Sequence, residues 1–186
     1  MEKIFCLETE WNQSKHDLKS KSSALSLLEF LENANGTKYI FRQVATNKDF
    51  EYYIEHLLYD SYNAYSMVYL CFHGSDSKIH FANGNPCDIM EFAKEHKGIF
   101  LHRNVHLGSC STLNMQEEDI KEFKRLTGAR MVTGYSEDVA FIDSFVFELE
   151  LLNAICNHSD YAAVRIYKYM NERMPYYVKT FGFVSY

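Results

Sequence analysis

Segments of strand-like and helix-like hydrophobic pattern alternate along this chain. Short apolar runs, several of them continuous, predict strands, and apolar positions spaced three and four residues apart predict helices. The predicted strands are residues 3–7, 39–44, 67–72, 104–108, 129–133 and 176–186. The predicted helices are residues 22–33, a segment capped by Asn47 or Asp49 and ending at 62, and residues 88–97, 116–127, 141–156 and 160–174. This order predicts an α/β fold, a three-layer sandwich around a mainly parallel sheet of about six strands.

One segment departs from the alternation. Residues 78–82 read as a strand and are followed by Asn83-Gly84, a dipeptide that favours tight hairpin turns, so we expect a small β-hairpin arm there.

The sequence has no internal repeat and no linker, and its 186 residues are enough for one core, so we expect a single domain over 1–186.

Composition and charge narrow the classes of function. The formal net charge is −6, and the basic cluster of residues 15–21 also contains Asp17, which disfavours a nucleic-acid surface. No apolar run reaches the length of a membrane span, and residues 1–10 do not resemble a signal peptide. Five scattered cysteines favour reduced thiols in the cytoplasm, and without CxxC spacing we expect no metal. We also expect no organic cofactor.

The most informative residues follow two buried strands. Residues 67–72 run into His73-Gly74, and residues 104–108 run into Ser109-Cys110-Ser111-Thr112. Parallel strands bring such carboxyl ends to one edge of the sheet, where α/β proteins hold their ligands. A thiol and an imidazole within hydrogen-bond reach provide a nucleophile and a base, so we predict that Cys110 and His73 form a catalytic pair.

Other interpretations of these residues stay open. A lone cysteine is most often a small buried hydrophobe, and a lone histidine is most often structural. His106 and His102 compete with His73 as bases, although alternation places His106 on a sheet face inside its strand. His80 belongs to the hairpin arm and is expected at the surface.

The order of strand, His-Gly, hairpin, helix, strand and Gly-Ser-Cys-Ser/Thr resembles the caspase–hemoglobinase fold of clan CD cysteine peptidases. The resemblance is greatest to the CHAT and gingipain-like branches, and it spans residues 73–152. It implies that His73 is the general base, that Cys110 is the nucleophile, and that the amides of Gly74 and Cys110 form the oxyanion hole. A helix starting just after Thr112 would add favourable amides.

The resemblance also implies a specificity pocket after the strand that follows the cysteine, at Gly134–Val139, with Asp143 at a helix start. Asp143 also fits the cap of its own helix. Glu137 and Asp138, together with Glu8 or Glu10 from the first strand, would make that pocket acidic and favour cleavage after a basic residue. The Gln-Ala-Cys-Arg-Gly signature of caspases is missing, which disfavours cleavage after aspartate.

The sequence therefore predicts a cysteine endopeptidase with a His–Cys dyad that acts on a peptide or protein substrate, with an activating protein as a further candidate partner. The alternative is a catalytically inactive caspase-like signalling or interaction module. A flavodoxin-like nucleotide binder is a second alternative, which Glu8-Thr9-Glu10 disfavours because these carboxylates would repel a phosphate.

Overall fold

A computed structural model describes residues 2–11 and 22–186, so the predicted basic cluster at 15–21 lies outside the described residues. Its largest sheet has six strands in the order β2-β1-β3-β7-β8-β9, and all neighbouring pairs are parallel except β8 with β9. A second, three-stranded antiparallel sheet contains β4, β5 and β6. The strands are β1 (Ile4–Thr9), β2 (Tyr39–Val44), β3 (Met67–Cys71), β4 (His73–Ser75), β5 (Lys78–His80), β6 (Cys87–Asp88), β7 (Asn104–Leu107), β8 (Met131–Tyr135) and β9 (Phe183–Ser185).

Helices cover both faces of the large sheet, because the central strands are apolar on both sides. In β3, Val68 and Leu70 join one core cluster, whereas Met67, Tyr69 and Cys71 join the other. The first cluster packs under α2 (Asn47–Ile54), α3 (Ile89–Glu95) and α4 (Glu117–Thr127). The second packs under α1 (Leu25–Asn35), α5 (Phe141–Asn157), α6 (Ala163–Arg173) and α7 (Pro175–Thr180). The predicted mixed α/β architecture with a mainly parallel sheet and helices on both faces is confirmed.

The helix predicted to end at residue 62 is shorter than expected. Its N-cap is Thr46, not Asn47 or Asp49. The Thr46 hydroxyl accepts from the Asp49 amide and the Asp49 carboxylate accepts from the Thr46 amide, which together form a capping box. The α-helix ends at Ile54, and two short 3₁₀ turns at 55–58 and 60–62 continue the chain towards β3.

Two strand predictions need correction. The hairpin arm exists, but its turn is not at Asn83-Gly84. β4 pairs with β5 through the turn at Asp76 and Ser77, where Ser77 has φ +61°. Asn83-Gly84 lies in the longer loop before β6. At the carboxyl end, only Phe183–Ser185 is a strand. Pro175 begins helix α7 because proline suits the first helical turn, where its missing N–H is not needed.

The chain after the fourth predicted strand forms no immediate helix. Residues 110–113 form turns and α4 begins at Glu117, close to the start predicted for the helix of residues 116–127, so no helix starts just after Thr112 to add amides to the site. Across residues 2–11 and 22–186, the structure contains no helix with the length and apolar composition to cross a membrane.

Candidate active site

His73 and Cys110 lie at the same edge of the sheet, as the two strand ends predict. His73 follows β3 and Cys110 lies in the turn after β7, and β3 and β7 are parallel neighbours. Both residues line one cavity of about 140 Å³. The topology therefore brings the predicted base and the predicted nucleophile to a common space.

Gly74 joins the two strand ends through close packing. A Cβ atom placed on Gly74 would overlap the Cys110 carbonyl oxygen and Thr112 Oγ1, and would lie 2.9 Å from Ser109 Cβ. Only glycine lets β4, the strand that begins at His73, approach the cysteine turn this closely. The main role of Gly74 visible here is thus contact with the turn itself.

The sulfur of Cys110 is held by the segment after β8. Val139 N–H donates to Sγ with an N···S distance of 3.5 Å, and Sγ lies 3.6 Å from the Val139 carbonyl oxygen. Cys110 is half-buried, and among the described residues no hydrogen bond joins its sulfur to the His73 ring. Catalytic hydrogen bonds are often long before substrate binds, so the arrangement is compatible with a resting site.

The other four cysteines differ in environment from Cys110. Burial raises the pKa of the Cys6 and Cys71 thiols, and it raises the pKa of Cys87 and of Cys156 to about 12 each. Thiols with raised pKa values are poor nucleophiles near neutral pH. These four thiols are therefore poorly suited to act as nucleophiles.

The turn around Cys110 includes a strained residue. Ser111 has φ +42°, a conformation that residues with a side chain rarely adopt. Its N–H donates to the Glu137 carbonyl oxygen at 3.0 Å, and its hydroxyl donates to Asp138 Oδ1 at 2.7 Å. Glu137 and Asp138 thus hold the cysteine turn in place.

One nitrogen of the His73 ring has a defined partner. Nε2 lies 3.2 Å from the Trp11 carbonyl oxygen, which only accepts hydrogen bonds, so Nε2 carries the proton in this contact. In the neutral ring Nδ1 then has a lone pair, and Nδ1 makes no hydrogen bond with the described residues. The Trp11 ring also packs edge-on against His73, with 5.0 Å between ring centroids.

Glu8 lies behind Trp11 and is fully buried. Its carboxylate accepts hydrogen bonds from Trp11 Nε1, Ser23 Oγ and the Ala24 amide, each at 2.6 Å. Burial raises the pKa of Glu8, while these three donors act in the opposite direction. The carboxylate joins the end of β1 to the residues just before α1.

The cavity beside Cys110 is mostly apolar. Helix α5 contributes one face to it, with side chains spaced three and four residues apart as its periodicity requires. These are Phe141, Ser144, Phe145 and Glu148. Trp11 and Ala24 line the cavity from the β1–α1 side, and Val139 lines it beside the sulfur.

Glu148 is the one carboxylate among the described residues that line this cavity. Tyr69 donates to its Oε2, Tyr135 donates to Oε1 at 3.1 Å, and His106 Nε2 lies 3.4 Å from Oε1. Burial is the main cause that raises the pKa of both phenols well above their ordinary value, so both stay protonated as donors. Gly108 makes room for this group, because a Cβ there would lie 2.8 Å from Oε1.

The four predicted specificity residues lie elsewhere. Glu8 is saturated by its three donors, whereas Glu137 and Asp138 are exposed beside the cysteine turn. Asp143 is exposed, with Oδ1 3.4 Å from the Tyr177 hydroxyl, and the cap position of α5 is Ala140, so the cap assigned to Asp143 is wrong. None of the four lines the cavity, and neither does the exposed Glu10.

Sequence reasoning missed Glu148, although a signal was present. The helix around it is strongly apolar, and Glu148 shares a buried stripe with Ser144, Leu151 and Ile155. A carboxylate on a buried stripe needs partners and is often functional.

The other histidines have their own partners or positions. His106 is buried on the sheet face, with Nδ1 3.0 Å from Thr133 Oγ1. His80 Nε2 lies 2.7 Å from Ser75 Oγ on the hairpin arm, and His102 is an exposed residue at φ +63° before β7. None of the three lines the cavity.

Metal binding has no support in the described part of the chain. Within it, no group of three or more His, Cys, Asp or Glu side chains is arranged to hold an ion.

Fold and site together define a mixed α/β protein with a histidine and a cysteine on one cavity at the carboxyl edge of a mostly parallel sheet. The chain belongs to the family described as "Family of unknown function (DUF6642)", whose model matches residues 1–186. A search of the curated proteins found no match.

Proposed function

We propose that this protein is a cysteine endopeptidase with the caspase–hemoglobinase type of fold, related to the CHAT and gingipain-like branches. The observation that carries the proposal is the cavity that His73 and Cys110 share. His73 Nε2 donates to the Trp11 carbonyl oxygen, which leaves Nδ1 able to accept a proton. A thiol and a base that follow two adjacent strands of a rigid sheet have the positioning that covalent catalysis needs.

The proposed reaction uses only groups of the chain and water. His73 Nδ1 takes the Cys110 thiol proton as Sγ bonds to the scissile carbonyl carbon. The carbon–nitrogen bond then breaks, and His73 gives the proton to the leaving amine. Water next attacks the thioester, His73 accepts its proton, and that proton returns to the sulfur as the acid product leaves.

The carbonyl oxygen needs donors while it is negatively charged. The amides of Gly74 and Cys110 are our candidates, because Gly74 packs directly against the Cys110 turn. One such donor contributes about 2.7–4 kcal/mol to lowering the barrier in related chemistry.

We further propose cleavage after a basic residue, with Glu148 as the recognising carboxylate. The aromatic and aliphatic walls suit the hydrocarbon stem of lysine or arginine, and Glu148 supplies a negative charge within the cavity. Two neutral phenols donate to this carboxylate and hold it in place, and His106 Nε2 lies 3.4 Å from its Oε1.

A second candidate is a non-catalytic module on the same scaffold. It is favoured by one observation: His73 and Cys110 each bond to backbone groups of other residues, and no hydrogen bond joins the two side chains. The two candidates differ in whether Cys110 reacts with a substrate-like electrophile.

The test is labelling with peptidyl acyloxymethyl ketones that carry arginine, leucine or aspartate next to the reactive group. We expect covalent labelling by the arginine probe, its loss in Cys110→Ala and its persistence in Cys87→Ala, the matched control at the other half-buried cysteine. Glu148→Gln should weaken the arginine preference over leucine by about tenfold, one charge-assisted contact. Labelling that survives Cys110→Ala, or no labelling of the folded protein, would contradict the peptidase and favour the module.

A further inference from the structure

Glu8 is placed to act on the site without lining it. It is fully buried at the end of β1 and does not line the cavity. Trp11 and Ala24, two of its three partners, are cavity-lining residues.

Trp11 connects Glu8 to the histidine in two ways. The carbonyl oxygen of Trp11 accepts the His73 Nε2 proton at 3.2 Å, and its indole ring packs on the imidazole at 5.0 Å between centroids. The same indole donates its N–H to Glu8 at 2.6 Å, so the carboxylate fixes the position of the ring. Phe141 completes the packing, with 5.7 Å between its ring centroid and that of Trp11.

The Glu8 carboxylate also bonds to residues on the other side of residues 12–21. Ser23 Oγ donates to Oε2 and the Ala24 amide donates to Oε1, and Ser23 Oγ accepts the Leu25 amide at 3.1 Å at the start of α1. One buried group thereby joins Trp11 on one side of residues 12–21 to Ser23 and Ala24 on the other.

We propose that Glu8 is a positioning residue for the base: its carboxylate holds Trp11 so that the Trp11 carbonyl fixes the Nε2–H tautomer and the orientation of His73. The role in catalysis rests on the proposed peptidase function, but the effect on Trp11 and His73 does not. An outer acceptor that orients a histidine through an intermediate group is an effective way to set which ring nitrogen receives a proton.

The chain offers a direct reporter, because Trp11 is its one tryptophan. Fluorescence therefore reads the environment of this indole alone. A long-range ¹H–¹⁵N spectrum of the histidine rings reads the tautomer of His73, whose signal is assigned by its loss in His73→Gln.

The variant is Glu8→Gln, which keeps the size of the side chain. Its matched control is Glu2→Gln, just before the start of the same strand, where a half-buried carboxylate accepts a hydrogen bond from Asn104 Nδ2 at 3.0 Å. In Glu8→Gln we expect a red-shifted Trp11 emission, at least twofold faster acrylamide quenching, and loss of the single Nε2–H tautomer. Glu2→Gln should keep both signals of the wild type.

Catalysis gives the independent arm of the test. Glu8→Gln should lower kcat at least about tenfold, with KM changed less than twofold. If Glu8 only stabilised the fold, the variant would contain a smaller fraction of active protein, and the His73 spectrum of the folded protein would be unchanged. If Glu8→Gln fails to fold, Trp11→Phe, which removes the indole donor and keeps the carbonyl, should also change the His73 tautomer.

The outcomes separate the two proposals. A wild-type protein that hydrolyses nothing overturns the peptidase, while the Trp11 emission and His73 spectrum still decide the role of Glu8. Wild-type emission and tautomer in Glu8→Gln overturn the positioning role, whatever the activity.

Discussion

Replacing Gly74 with alanine tests the packing that joins the two halves of the site. The new Cβ would overlap a backbone oxygen of Cys110 as well as Thr112 Oγ1, so a rotamer change alone cannot relieve it. Such overpacking costs about 1–3 kcal/mol. For a chain of this size each kcal/mol lowers Tm by about 2–4 °C, so we expect a decrease of about 2–12 °C.

The same substitution should also displace the cysteine turn from His73. We therefore expect Gly74→Ala to lower the rate of Cys110 alkylation at pH 7 at least about tenfold, measured by peptide mass spectrometry, alongside the lower Tm from thermal unfolding. Gly36→Ala is the matched control, because Gly36 has φ +79° and no atom within 4 Å of an added Cβ. It should lose about 1–2 kcal/mol through backbone strain and keep wild-type Cys110 reactivity. Unchanged Tm and unchanged Cys110 reactivity in Gly74→Ala would refute the reasoning.

Three further predictions concern the buried and turn-holding groups around the cavity. Tyr135→Phe removes a donor from Glu148 and should lower the free energy of unfolding in urea by about 1.5–3 kcal/mol, and an unchanged value would contradict this hydrogen bond. Burial raises the pKa of Glu8 above 4.5, so the folded chain binds a proton at Glu8 more readily than the unfolded chain does. Protonation of Glu8 therefore favours folding at low pH. This contribution to the free energy of unfolding is lost as the pH rises through the folded-state pKa. Urea unfolding between pH 4.5 and pH 7 should then show stability falling more steeply with rising pH in the wild type than in Glu8→Gln, and equal slopes would contradict it. Asp138→Ala removes the acceptor of the Ser111 hydroxyl and should lower the free energy of unfolding in urea by about 0.5–1.5 kcal/mol. Alkylation of Cys110 should also be slower, and a wild-type alkylation rate would show that Asp138 does not hold the turn.

The sequence was sufficient to predict the sheet and the meeting of two strand ends. Continuous apolar runs such as residues 67–72 and 104–108 are typical of parallel strands buried on both faces, and their carboxyl ends share an edge. The order of the elements then placed His73 and Cys110 on one cavity without any knowledge of their contacts.

Local context decided the elements that sequence reasoning missed. Residues 176–186 alternate like a strand, but Pro175 begins a helix there, and Gly182, at φ +54°, separates it from β9. Asn83-Gly84 is a strong turn signal, yet the shorter connection at Asp76 and Ser77 forms the hairpin.

The residues lining the cavity were harder to predict because they come from distant segments. Glu137 and Asp138 are close to Cys110 in the fold, but they bond to the turn and leave the cavity to α5. The direction in which α5 presents Glu148 depends on how that helix packs on the sheet, which periodicity alone does not define.

The central claim is that His73 activates the Cys110 sulfur, and competitive alkylation tests it most directly. Iodoacetamide at pH 7, with site-by-site mass spectrometry, should modify Cys110 ahead of the other four cysteines in the folded wild type. His73→Gln should lower that rate at least about tenfold, whereas His80→Gln, the register partner of His73 on the hairpin arm, should leave it unchanged. Equal Cys110 rates in the wild type and His73→Gln would contradict the account.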